Sequence, residues 1–115
     1  MAQSGDAEKR LTPAVLHILL ALAGGERHGY ALMKEVPVLS SGKLELGPGT
    51  LYRTLSELLT LGWIEESSAD KADPRRRTYR LSRRGRAALQ QEMARLAALV
   101  AVARERKILG LEGTR

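Results

Sequence analysis

Seven arginines, Arg75, Arg76, Arg77, Arg80, Arg83, Arg84 and Arg86, fall within one stretch that contains no acid. Guanidinium groups this crowded repel one another unless each is solvated or faces an anion. The chain as a whole carries 19 Lys and Arg against 13 Asp and Glu, a net charge of +6, which makes a polyanion the first partner to consider. A solvated surface is the competing reading, and the clustering favours a binding face. Little else in the sequence could do chemistry. There is no cysteine, and the histidines are His17 and His28, which lack metal-ligand spacing. Gly47-Pro48-Gly49 lacks the lysine of a phosphate-binding loop. No catalytic residue, metal or cofactor is expected.

A second polar set lies at residues 48–61. Arg53 can reach a guanine edge or a phosphate, and Thr50 and Ser56 can do either more weakly. As a bland alternative, Arg53 is a solvated surface arginine. Gly49 and Thr50 stand where a helix would begin, and its free amides there suit a phosphate; turning and capping alone would also explain them. Glu57 acts against phosphate unless it accepts from a cytosine amine. Lys34 and Lys43 are weaker phosphate candidates, each as readily explained by solvation.

These groups need a scaffold, and 115 residues that are 43% hydrophobic suffice for one core. With 3% aromatics and no Phe, that core must come from aliphatic side chains on packed helices. Thr12 and Pro13 supply an N-cap and a first helical residue, and Gly24-Gly25 stops the helix. A second helix is expected from about residue 28 to 36, with Leu32, Met33 and Val36 inward and Pro37 ending it. Lys43-Leu44-Glu45-Leu46 alternates like a short half-buried strand. A third helix should run from about Pro48 to Gly62, burying Leu51, Leu55, Leu58 and Leu59 and leaving Arg53, Ser56, Glu57 and Thr60 outside. Residues 63–66 and 78–81 read as strands of a hairpin with a long basic tip, across which Arg80 or Arg83 could pair with Glu65 or Glu66.

Ser82 can cap a fourth helix over residues 83–107, about 37 Å long. Leu89, Met93, Leu96, Val100 and Ala103 follow a heptad-like spacing, and Leu99 and Val102 widen the stripe. One small domain cannot cover so apolar a helix. A second copy of the chain is the expected cover, with Leu16 and Leu20 of the first helix joining the interface.

The fold expected is mainly α with a small β-hairpin: a winged helix-turn-helix at 11–82, a long C-terminal dimerisation helix at 83–108, a flexible arm at 1–10 and a frayed tail at 109–115. The N-terminus is no secretory signal, and no apolar run approaches the roughly 20 residues of a membrane span. A cytoplasmic protein with no membrane partner is expected.

Five segments in this order resemble one family: Leu11-Thr12-Pro13, His28-Gly29-Tyr30-Ala31-Leu32, Gly47-Pro48-Gly49-Thr50-Leu51-Tyr52-Arg53, Gly62-Trp63-Ile64-Glu65-Glu66, and residues 73–82 from Asp73-Pro74 to Leu81-Ser82. Together they are similar to the PadR family over residues 11–103, in its shorter branch with a single C-terminal helix. The resemblance implies a homodimeric DNA-binding repressor on a pseudo-palindromic operator. The residues read above, Lys34, Gly49, Thr50, Arg53, Ser56, Arg75, Arg76 and Arg77, are then expected at double-stranded DNA, and the resemblance adds the Tyr52 hydroxyl near the backbone; packing between helices is the other reading of Tyr52. Some members sense small molecules, so an effector of unknown identity is a family expectation. Two departures bear on it: Thr78 stands where an aromatic is common, and the fourth helix has no aromatic to line a cavity between subunits. The functional alternative is a protein-interaction module on the same scaffold, because fold does not fix function.

Overall fold

In a computed structural model, residues 11–67 and 77–110 are described. Their elements run α1 (Pro13–Ala23), β1 (Arg27–His28), α2 (Gly29–Leu39), α3 (Pro48–Leu61), β2 (Ile64–Glu66), β3 (Thr78–Leu81) and α4 (Arg83–Glu105). The expected arm, residues 1–10, and most of the expected basic tip, residues 68–76, lie outside the described residues, as do residues 111–115 of the tail.

Local chemistry sets the helix ends. The Val15 amide donates to Thr12 Oγ1 at 3.2 Å, with Pro13 in the first turn of α1. The apolar α1 buries Val15, Ile18, Leu19, Ala21 and Leu22 and packs against α2, β3 and α4. At the end of α3, Gly62 adopts φ 78° and Trp63 donates its amide to the Leu58 carbonyl at 3.0 Å, a Schellman closure that turns the chain directly into β2. Ser82 Oγ accepts from the Gly85 amide at 3.0 Å and starts α4.

Two expectations are corrected. Pro37 does not end α2, which runs on to Leu39. A proline this near a C-terminus removes a single helical hydrogen bond, while the buried Val36 anchors the turn and the Ser40 amide still reaches the Val36 carbonyl at 3.0 Å. Residues 43–46 form no strand. Leu44 and Leu46 are half-buried and Lys43 and Glu45 exposed, so the alternation is real, but it records which side faces the core rather than pairing. The third strand is instead β1, and the sheet order is β1-β3-β2, antiparallel throughout. Arg27 faces Tyr79, while Ile64, Glu65 and Glu66 face Leu81, Arg80 and Tyr79. The core joins α1, α2, α3 and the sheet through Leu32, Leu51, Leu55, Leu58, Ile64 and Tyr79.

Candidate nucleic-acid interface

The leucine stripe fixes which side of α3 faces outward. With Leu51, Leu55 and Leu58 buried and Thr54 joining them, Thr50, Arg53, Ser56, Glu57 and Thr60 are all exposed. Leu59 is half-buried at the edge of the stripe. The hydroxyls of Thr54 and Thr60 donate to the carbonyls of Thr50 and Ser56, at 2.8 and 3.1 Å. Gly49 lies in open space: a Cβ there would meet nothing within 4 Å, so no packing inside the chain demands the glycine. A groove of about 270 Å³ runs between Thr12 and Ala14 of the α1 start and Thr50, Arg53 and Glu57 of α3. Among the described residues, no ion pair holds Arg53 or Glu57. Their opposite charges lie on one helix one turn apart, in the order that pairs less well.

Lys34 is exposed on α2, with its ammonium 5.0 Å from the centroid of the Tyr30 ring. Its charge stays at the surface, steadied by the ring face.

Two residues proposed for DNA contact make contacts within the domain. The Tyr52 hydroxyl is buried, and its ring presses on Gly29. Arg77 places Nε 3.1 Å from Glu66 Oε2, and both atoms are closed to solvent. The physical reason is the strand register: Glu66 sits opposite Tyr79 and therefore close to Arg77. Arg75 and Arg76 lie outside the described residues. Arg80 Nε pairs with Glu65 at 3.0 Å, as expected across the hairpin, and Arg80 also approaches Glu26 at 3.8 Å. Arg27 is held by Glu35 at 2.9 Å. Acids thus offset much of the charge on the described strands, while Arg53, Arg83 and Arg86 remain exposed.

Sequence reasoning named Glu66 only as a partner for Arg80 or Arg83, and gave Gly29 and Tyr79 no part in this arrangement. Hairpin alternation pointed to Glu66 and Tyr79, since the two could be paired once the register was known. Burial, the nearby Glu66 carboxylate and the Tyr52 hydroxyl push the Tyr79 hydroxyl above the usual tyrosine range, against the lowering effect of Arg77. A folded-state pKa raised in this way favours the neutral phenol. The stability it provides is complete below the unfolded-state pKa and is lost as pH rises through the folded-state value. Tyr79→Phe should therefore flatten the alkaline side of the stability curve, checked by urea unfolding across a pH series.

The residues expected at a subunit interface divide. Leu89 is buried within its own domain, where it adds little to any external surface, and Leu16 and Met93 are half-buried against the same core. Leu96 and Ala103 are half-buried, whereas Leu20, Leu99 and Val100 are exposed.

Among the described residues, no helix is long and apolar enough to cross a membrane, and no group of three or more His, Cys, Asp or Glu could hold a metal ion. The model of the Transcriptional regulator PadR-like family matches residues 15–91. The chain is 37% identical over 95 residues to Transcriptional regulator Rv3488 of Mycobacterium tuberculosis, covering 83% of this chain and 81% of that protein. Its fold is similar to RosR of H. salinarum, with a TM-score of 0.62 and 25% identity over 86% of this chain and 96% of that one. A PadR family transcription regulator from Clostridium difficile gives a TM-score of 0.59 at 22% identity, over 78% and 95% of the two chains.

Proposed function

This chain belongs to the PadR-like family of transcriptional regulators, and from that premise we propose that it represses transcription as a homodimer, docking α3 of each subunit into one major-groove half-site of a pseudo-palindromic operator. The observation that carries the reading is the outer face of α3. It is polar, exposed among the described residues, and rigidly backed by Leu51, Leu55 and Leu58. Such a helix fits a groove about 12 Å wide. Arg53 is the base-reading side chain, Ser56 supports it, and Gly49 and Thr50 meet phosphate at the helix start. Lys34 and the arginines Arg75 and Arg76 supply further phosphate contacts. Glu57 accepts from a cytosine amine, the one contact on a duplex that suits a carboxylate.

The family consists of transcriptional regulators rather than enzymes, and the absence of cysteine removes thiolate chemistry. Repression follows from occupancy of promoter DNA by the bound dimer. A small-molecule effector would act by lowering operator affinity. α4 offers no aromatic side chain to such a ligand, so an effector would have to be held by aliphatic contacts.

The test is binding to the duplex upstream of the protein's own reading frame, against a random duplex over a range of salt. Arg53→Ala should cost about 1–3 kcal/mol on the operator, roughly 5- to 150-fold, and much less on random DNA. Binding by the unmodified protein that is no tighter to operator than to random DNA would reject the regulator reading and favour the interaction module.

A further inference from the structure

A partly buried polar chain joins the helix proposed to read DNA to the base of the hairpin. Tyr52 leaves α3 on its inner side. Its ring lies so close to Gly29 that a Cβ there would sit 2.6 Å from the hydroxyl oxygen and 2.7 Å from Cε1. The Tyr52 hydroxyl is closed to solvent, and Tyr52 packs against the core cluster that contains Tyr79. Tyr79 stands in the middle strand, with Glu66 opposite it on one side and Arg27 on the other. Arg77 precedes Tyr79 by two residues, just before β3, and its guanidinium faces Glu66, with Nε 3.1 Å from Oε2. The chain therefore runs from α3 through Tyr52, Tyr79 and Arg77 to Glu66, and touches both strands of the hairpin.

A side chain that contacts phosphate must present its charge outward, whereas Arg77 spends part of it on the Glu66 carboxylate, with Nε and Oε2 both closed to solvent. Partly desolvated charges of this kind are weak sources of net stability but good devices for fixing one geometry. We propose that Arg77 is a positioning residue rather than a phosphate ligand: with Glu66, Tyr79 and Tyr52 it clamps the hairpin at one angle to the recognition helix. The proposal rests on the reading of α3 as that helix.

Opposite signs separate the two roles. If Arg77 were a phosphate ligand restrained by Glu66, Glu66→Gln would free it and raise affinity for any duplex. If Arg77 is a clamp, Glu66→Gln weakens operator binding. Operator and random duplexes are titrated with salt for the unmodified protein, Glu66→Gln, Arg77→Ala, the double variant and Tyr52→Phe, which keeps the ring against Gly29. All are compared at a temperature where their unfolding curves show them folded, so a loss of stability alone does not move the result.

Glu66→Gln and Arg77→Ala should each lower operator affinity about tenfold, the scale of a misplaced contact rather than a deleted one, and Tyr52→Phe should lower it in the same direction. The operator-to-random ratio should fall with it. The salt slope should stay unchanged, and the double variant should be no worse than Arg77→Ala, as members of one unit behave. The clamp is overturned if Glu66→Gln strengthens binding to both duplexes, if Arg77→Ala reduces the salt slope by about one, or if neither changes the ratio. An unmodified protein with no operator preference is a separate failure, that of the regulator reading, and takes the clamp with it.

Discussion

Gly85→Ala should unfold at a temperature well below the unmodified protein. Gly85 lies in the first turn of α4, buried beneath the start of β2, and a Cβ built on it would sit 2.0 Å from the Trp63 carbonyl oxygen and 2.8 Å from its carbon. Those are backbone atoms and cannot rotate aside. They are also held from both sides: the Ser82 amide donates to that same Trp63 carbonyl at 3.1 Å, and the Ser82 hydroxyl donates to the Gly62 carbonyl at 2.6 Å. Making room for a methyl group means prying α4 away from the hairpin base. Overpacking a rigid site usually costs 1–3 kcal/mol, and here the upper end, about 3 kcal/mol or more, applies. For a domain of this size that is a fall of roughly 12 °C or more in Tm, read by circular dichroism. The control is the sign. At an unobstructed helical position the same change gains up to about 1 kcal/mol, so a neutral or stabilised Gly85→Ala would show that α4 does not sit on Trp63 in this way.

That junction marks the boundary between what the residues announce locally and what only the assembled chain decides. Thr12, Gly62 and Ser82 punctuate helices through bonds to residues three away, and Pro13 through its fixed φ, and each was readable from its neighbours. The leucine spacing of α3 was readable for the same reason, and it gave the exposed set of Arg53, Ser56, Glu57 and Thr60. Pro37 misled because the rule that proline breaks helices is about interiors, and Pro37 stands in the last turns of α2. Lys43 to Leu46 misled because alternation reports a buried side without reporting a partner strand. β1, at two residues, is too short to carry a pattern of its own; it exists because β3 offers a free edge there.

The same distinction explains the contacts that Arg77 and Tyr52 make within the domain. Their surroundings depend on Glu66 meeting Tyr79 across the hairpin and on Gly29 leaving space beneath α3. Neither fact is local. A cluster of arginines reads as one cationic surface in a linear sequence, yet in the folded chain Arg77 and Arg80 are matched to Glu66 and Glu65. Charge density in sequence overstates charge density in space wherever strand pairing brings acids alongside.

Leu99→Asp should convert a dimer into single chains. The proximal part of α4 spends its apolar residues on its own domain, through Leu89 and Met93, while among the described residues Leu99, Val100 and Val102 of the distal part have no such cover. Leu99 is 55% exposed and Val102 43%, and Leu20 on α1, which packs against α4, is 39% exposed. Apolar groups on one long helix and its neighbour form a patch of the kind that a second subunit covers. In a two-fold interface each substitution acts twice. Completing the burial of one such leucine is worth about 1–1.5 kcal/mol, half the range for a fully exposed one, so losing two forfeits about 2–3 kcal/mol. Burying the introduced carboxylates adds to that. The dimer dissociation constant should rise about a hundredfold or more, measured by sedimentation equilibrium over a concentration series. Because the core of each domain does not use Leu99, the separated chains should keep their helical spectrum while losing tight operator binding, since one chain engages one half-site. An unmodified protein that sediments as a single chain at every concentration, or a Leu99→Asp dimer as tight as the original, would show that the distal part of α4 is not the surface that pairs the subunits.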